Sequence, residues 1–522
     1  MRAGKNIVLG AAISMAVLCG AAKAQDLTVG VGSEATSLDP HFYPITANVE
    51  IARHIFDSLI TYDRTRNVVA GLATSWRRVD DLTWEFKLRD GVRFSNGQPL
   101  TADDVVFTFD RVPKVTGSPS NYEQYTKHFV AVEKSDDLTV RFRTRVPHPG
   151  ALSDIIAVPI ITKSIDDAVE TKDFNEGRAA IGTGPYKLES WKRSDRITLV
   201  RSDTYWGQAP HWKTVTFRPL TNSAARTAAL LTGAVDIINQ LPSADVGRFR
   251  SDKNLQVVAI PGNRLIHFMI DQASDKPKFI RDAEGKPLDV NPLKDPRVRH
   301  ALSKAINREA LVERVMDGLA VKADQLMADI YVGKNAKIVP DRFDLAGARA
   351  LLAEAGYPNG FSMTIHGTNN RYLNDEKVVQ TVAQMLTRIG LKVNVETLPA
   401  ATYFGNAAKP AYDYFLVGLS APGLYEYARS LIVTRDAKAG YGPYNWGGIH
   451  DARIDDLFGQ ATREIDDGKR DAILKDAEAY ALNDLHVVTP LFFEMNIWAV
   501  KKGLSFDGRF DGETYAADVR PD

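Results

Sequence analysis

After residue 19 this 522-residue chain contains no cysteine. Cys19 lies in the apolar stretch 7–20, behind Arg2 and Lys5 and ahead of Ala22-Lys23-Ala24, the small-x-small pattern at which secretory signals are cut. That stretch falls short of the roughly 20 apolar residues a membrane-spanning helix needs. Leu18 stands where a lipid-anchored chain carries Gly, Ala or Ser. We therefore expect residues 1–24 to be a cleaved signal and the exported chain to start at Gln25. A secreted chain without disulfides is held together by its hydrophobic core alone, and this one is long enough to build a large core.

Lys+Arg and Asp+Glu each total 65, and losing Arg2, Lys5 and Lys23 leaves three more acids than bases. Such a balance argues against general nucleic-acid or anionic-membrane binding, which needs surplus cations. With 44% hydrophobic and 25% charged residues the composition is that of a globular protein. No later run reaches about 18 apolar residues, so no second membrane segment is expected. The length favours two to four domains.

The first half alternates like antiparallel sheet. Residues 26–32 read as a strand. From Thr83, apolar Trp84, Phe86 and Leu88 alternate with Glu85, Lys87 and Arg89, a period of two. Asp90-Gly91 and Asn96-Gly97 mark turns. Thr101 followed by Asp104 predicts a capped helix bearing Val105, Val106 and Phe109. Ser223 to Thr232 and Val235 to Ile238 read as a helix–strand unit. The second half reads as α/β. Asp295-Pro296 opens a helix with Val298, Ala301, Leu302, Ala305 and Ile306 at helical spacing. Asp344 caps another, ended at Gly356. A strand at 362–366, a helix carrying Val378, Val382 and Leu386, and a strand at Leu391, Val393 and Val395 form a βαβ pattern, which predicts parallel pairing. Residues 487–493 and 497–500 read as two further strands. No flexible linker and no internal repeat interrupts the chain.

The ten histidines are dispersed, with no two spaced three to five apart and no HExxH. No preformed metal site and no cofactor is expected. No GxSxG elbow occurs. The acidic pairs Asp103-Asp104, Asp455-Asp456 and Asp466-Asp467 read as solvated helix faces rather than a glycosidase dyad. Gly182-Thr183-Gly184-Pro185 lacks the Gly-Lys-Ser/Thr of a phosphate loop, and it reads as a tight turn whose small residues admit a close neighbour. Aromatic clusters at Tyr205-Trp206, 412–415 and 425–427 suit either core or an organic-ligand pocket.

The segment GLATSWRRVDDLTWEFKLRDGVRFSNGQPLTADDVVFTFDRV at 71–112 resembles the signature of family-5 extracellular solute-binding proteins of bacterial ABC importers. HIFDSLITYD at 54–63, GTGPYKLESW at 182–191, LVRSDTYWG at 199–207, DPRVRHALSKAINREALV at 295–312 and LLAEAGYPNGF at 351–361 support it, in order along the chain. The resemblance implies a large α/β periplasmic-binding-protein fold of two lobes. Lobe I would span 25–264, with an extra subdomain at about 68–180. Lobe II would span 265–490, and 491–522 would return to lobe I. It also implies a monomeric periplasmic receptor, not an enzyme, that closes around a peptide or related solute and delivers it to an inner-membrane permease with its ATPase. Opines, sugars and chelated metals are the other solutes such proteins bind. A secreted hydrolase is the rival from another class.

In dipeptide binders of this family, an Arg and a neighbouring Tyr on a second-lobe loop meet the peptide carboxylate. GTNNRYLND at 367–375 places Arg371 and Tyr372 there, and a guanidinium forks onto a carboxylate while a ring covers it. The competing reading pairs Arg371 with a surface acid such as Asp375. The same binders use an Asp within a W-x-x-D-x-x-D-P-like stretch for the ligand's amino group. This chain has FLVGLSAPGLYEYARSL at 415–431 instead, which leaves Asp413 or Glu426 as the substitutes.

Overall fold

The computed structural model describes residues 26–522 apart from 167, 408 and 410. The expected signal at 1–24, with Cys19, lies outside the described residues.

Two long antiparallel strands, Leu255–Ile270 and Val488–Lys501, form the axis of the molecule. Their register runs from Leu255 opposite Lys501 to Pro261 opposite Met495, slips, and resumes with Leu265 opposite Phe493. Beyond Ile237–Asn239, which pairs with Trp498 to Val500, lie Asp26–Val31, Thr214–Pro219, Arg196–Arg201 and Tyr186–Lys192 in that order. Beyond Leu255–Ile270 lie Tyr414–Ser420, Ser362–Thr368 and Ile280–Arg281, with Lys392–Leu398 also on Ser362–Thr368. One twelve-stranded sheet thus runs through two lobes.

Residues 487–493 and 497–500, read from sequence as two strands, form one strand of 14 residues. Glu494 and Asn496 break the apolar run without breaking the backbone, because both side chains have partners. Glu494 pairs with Arg264 at 3.0 Å, and Asn496 donates to the carbonyls of Arg509 and Phe510. The βαβ reading is matched: Ser362–Thr368 and Lys392–Leu398 are parallel, joined by the helix Asp375–Thr387.

Tyr414, Phe415, Leu416 and Val417 are all buried, Tyr414 and Leu416 in one core cluster and Phe415 and Val417 in another. A strand covered on both faces reads as a continuous apolar run, and alternation sends its neighbours to opposite layers. In the first lobe a separate antiparallel sheet has the order Ala73–Asp80, Thr83–Leu88, Thr139–Thr144, Phe129–Asp136. Its core is the ring cluster of Phe86, Phe109, Phe129 and Phe142. The helix Ala102–Arg111 carries the expected Thr101–Asp104 capping box. Glu85, on the polar face of its strand, is nevertheless buried, gripped by Arg77 and Arg141 at 2.7 Å each from the flanking strands.

Candidate functional site

The parallel strands Ser362–Thr368 and Tyr414–Ser420 lie side by side and end on the same edge. Ligands of open α/β sheets gather outside such carboxyl ends. The loop after the first strand carries Arg371. The backbone N–H groups of Arg371 and Tyr372 donate to Asp375 Oδ2 at 2.9 and 3.1 Å, and Thr368 Oγ1 donates to the same oxygen at 2.7 Å. Asp375 therefore shapes the loop through its backbone rather than pairing with the guanidinium, which answers the competing reading. Among the described residues the Arg371 guanidinium has no hydrogen-bond or ion-pair partner, and its side chain is exposed. Its carbon sits 5.6 Å from the Tyr372 ring centroid. Crowding by surrounding protein, reinforced by the positive charge of Arg264, holds its pKa below the ordinary value; Tyr43 of the first lobe is also in range.

Tyr372 is buried and spends its hydroxyl on the neighbouring strand, accepting the Gly418 N–H at 2.8 Å. A Cβ at Gly418 would stand 2.6 Å from the Tyr372 ring, so glycine there makes room for the tyrosine. Glu494 accepts the Leu373 N–H at 2.8 Å while pairing with Arg264. The loop is thereby tied to the strand that crosses between lobes.

Asp413, one of the two acids expected for the ligand's amino group, precedes Tyr414, at the far end of its strand from Gly418, where Tyr372 of the Arg371 loop bonds. Its oxygens accept the N–H groups of Lys278 at 3.1 Å and Phe279 at 2.5 Å, and burial raises its pKa. Glu426, in the short helix Leu424–Tyr427, is placed otherwise. It is buried at the seam between lobes, with Oε1 3.4 Å from where a Cβ of Gly150 would stand. Among the described residues its carboxylate has no hydrogen-bond or ion-pair partner.

Facing it from the first lobe, His148 Nε2 and Asp154 Oδ2 are 2.7 Å apart, and the His128 ring stacks on His148 at 4.3 Å. Arg429 completes this neighbourhood from the second lobe, its Nε and Nη1 buried without partners. Sequence reasoning missed this assembly, because residues 128, 148, 154 and 429 converge only through the tertiary structure. The dispersal of histidines likewise concealed two sets whose ligating atoms lie within 4.8 Å of one another, His128, His148 and Asp154, and His300, Asp341 and His486. Both sets have the chemistry to hold a divalent ion, but both are internally hydrogen-bonded and have cations close by, Arg429 at the first and Arg308 at the second. Burial lowers the pKa of His128 and of His486 to about 4, keeping them neutral.

The lobes touch across this region. Arg66 Nη1 donates to the Tyr331 carbonyl at 3.1 Å, Tyr331 donates to the Pro261 carbonyl, and Asn374 Nδ2 donates to Ser243 Oγ at 3.1 Å.

The model of bacterial extracellular solute-binding proteins, family 5 (middle), matches residues 67–429. The glutathione-binding protein GsiB of Escherichia coli is 29% identical over 512 residues, covering 96% of this chain and 94% of that protein. GsiB of Salmonella paratyphi A is 32% identical over 396 residues, 75% of this chain and 73% of its own length. Among solved structures, the periplasmic binding protein DppA of Helicobacter pylori, in complex with a peptide, superposes with a TM-score of 0.78 at 23% identity. It covers 95% of this chain and 98% of its own. HbpA2 of Haemophilus parasuis gives 0.81 at 21% identity, covering 95% and 100%. This chain belongs to the family-5 extracellular solute-binding proteins of bacteria.

Proposed function

We propose that the solute is a short peptide, its terminal carboxylate held by Arg371 and its amino group by Glu426. The chain is the substrate-binding component of an ABC importer and hands its cargo on without covalent change. One observation carries the peptide reading: a guanidinium and a carboxylate, each without a partner among the described residues, stand on a loop and a short helix that follow the same edge of two adjacent parallel strands. Unpaired charges of opposite sign complement a zwitterion, and charge-assisted hydrogen bonds are the strong ones. The names of relatives that bind glutathione or peptides support the same reading.

Export to the periplasm with cleavage after Ala24 belongs to this proposal, as does the division into lobe I at 25–264, lobe II at 265–490 and a return at 491–522. The register slip between Pro261 and Leu265 supports the first boundary. Thermal melting of the purified chain with di-, tri- and tetrapeptides, glutathione and an opine series tests the ligand class. Peptide at a hundred times its Kd should raise stability by about 2.7 kcal/mol. A shift by opines alone, or by nothing in the panel, would remove the peptide reading.

A further inference from the structure

The strand Leu255–Ile270 is irregular where it crosses between the lobes. Pro261 lies opposite Met495 and Leu265 opposite Phe493, so Gly262, Asn263 and Arg264 stand against the single residue Glu494. Such a bulge bends its strand and re-aims the side chains it carries, and bulges gather beside functional sites. Its first residue has to be small: a Cβ on Gly262 would stand 2.8 Å from the Glu494 carbonyl oxygen. Arg264 is the charged residue of the bulge. Although its strand lies inside the sheet, between Tyr414–Ser420 and Val488–Lys501, its side chain stays 31% exposed.

Two sets of contacts join Arg264 to the loop of Arg371. Glu494 Oε2 accepts from Arg264 Nη1 at 3.0 Å, while Oε1 accepts the Leu373 N–H at 2.8 Å. A Cβ on Gly418 would stand 2.6 Å from the Tyr372 ring and 3.0 Å from Arg264 Cδ, so ring and arginine stem converge over that glycine. The Arg371 guanidinium carbon lies 5.6 Å from the centroid of the same ring.

Glu494 takes only Nη1 of Arg264. Among the described residues Nε and Nη2 have no hydrogen-bond partner. Those two nitrogens form the side edge of a guanidinium, whose parallel N–H groups match the two oxygens of a carboxylate. The positive charge of Arg264 also counts against that of Arg371. A carboxylate set beside both relieves the repulsion, and its four lone-pair sites suffice for two donors.

We propose that Arg264 is a specificity-determining residue whose Nε–Nη2 edge joins Arg371 in holding the terminal carboxylate of the solute, with Glu494 as the positioning residue that fixes its orientation. This rests on the peptide reading and deepens it. A solute whose end is an amide offers these donors one neutral oxygen and turns an NH2 group toward them. The chain therefore selects solutes with a free terminal carboxylate and rejects those capped as amides.

Calorimetric titration with di-, tri- and tetra-alanine, each as the free acid and as the C-terminal amide, tests this. The unaltered chain should bind the acids about a hundredfold or more tighter, the usual effect of two charge-assisted contacts. Arg264→Gln should lower that ratio about tenfold by weakening the acids alone, and Arg371→Gln should lower it likewise. Arg264→Lys keeps the charge and a partner for Glu494 but lacks the second edge. It should lower the ratio in the same direction, and it serves if the Gln variant does not fold. A purely structural Arg264 predicts acids and amides weakened alike, with full rescue by lysine, and either result would overturn the proposal. An acid-to-amide ratio that falls in Arg371→Gln but not in the Arg264 variants would overturn it too, leaving the peptide reading standing. Binding of no alanine peptide in either form would overturn both together.

Discussion

The loop that carries Arg371, GTNNRYLND, was legible in the sequence because its residues stay together in the fold. Structure adds why its guanidinium is free: Asp375, four residues on, is consumed by the loop's own N–H groups and Thr368. A side chain with no hydrogen-bond or ion-pair partner among the described residues, and only the Tyr372 ring beside it, contributes little to folding. Arg371→Ala should therefore weaken a carboxylate-bearing ligand by about 1.5–3 kcal/mol, while chemical denaturation moves by no more than about 0.5 kcal/mol. Calorimetry and a urea titration on the same preparation check both halves, and unchanged affinity would dismiss the role. Glu426 and Asp413 looked equivalent as substitutes for the missing Asp, since residue type alone does not say which end of a strand a side chain occupies. Arg429 was not legible at all. The Asp154 carboxylate whose charge reaches it lies about 275 positions earlier in the chain.

Elements were legible where local patterning decides them. The capping box at Thr101, the Asp-Pro start of the helix Pro296–Lys304 and the alternation in Thr83–Leu88 all formed as read. The turn at Gly182 to Gly184 packs on the end of the helix Thr46–Ile55, with Gly184 N–H donating to the Ile55 carbonyl at 2.9 Å. A Cβ at Gly182 would come within 1.9 Å of that carbonyl oxygen, a rigid backbone atom. Gly182→Ala should cost about 3 kcal/mol through overpacking. By contrast Gly247, inside the helix Ser243–Ser251 with open space around it, should gain up to about 1 kcal/mol as alanine. Denaturant midpoints of the two variants, shifted in opposite directions at constant m-value, are the check. The strand Val488–Lys501 shows where patterning failed: polar Glu494 and Asn496 look like a break, yet tertiary partners on Arg264 and the 509–510 backbone hold them in the ladder.

At the scale of the molecule, two crossing strands join the lobes, and one of them bears Glu494, which holds the Leu373 N–H beside Arg371. Ligand gripped from both sides favours the closed arrangement, and turning a 1:99 balance into 99:1 takes about 5.5 kcal/mol of differential binding. X-ray scattering should therefore show a smaller radius of gyration with a bound peptide than without; superimposable curves would speak against closure on ligand. Local periodicity and turn chemistry determined the α/β character, the helix limits and the loop of Arg371, because those depend on neighbours a few residues away. Tertiary structure alone decided which charges pair and which stay unpaired, as Glu494 with Arg264 and Glu85 with Arg141, because no spacing along the chain encodes a contact between distant segments.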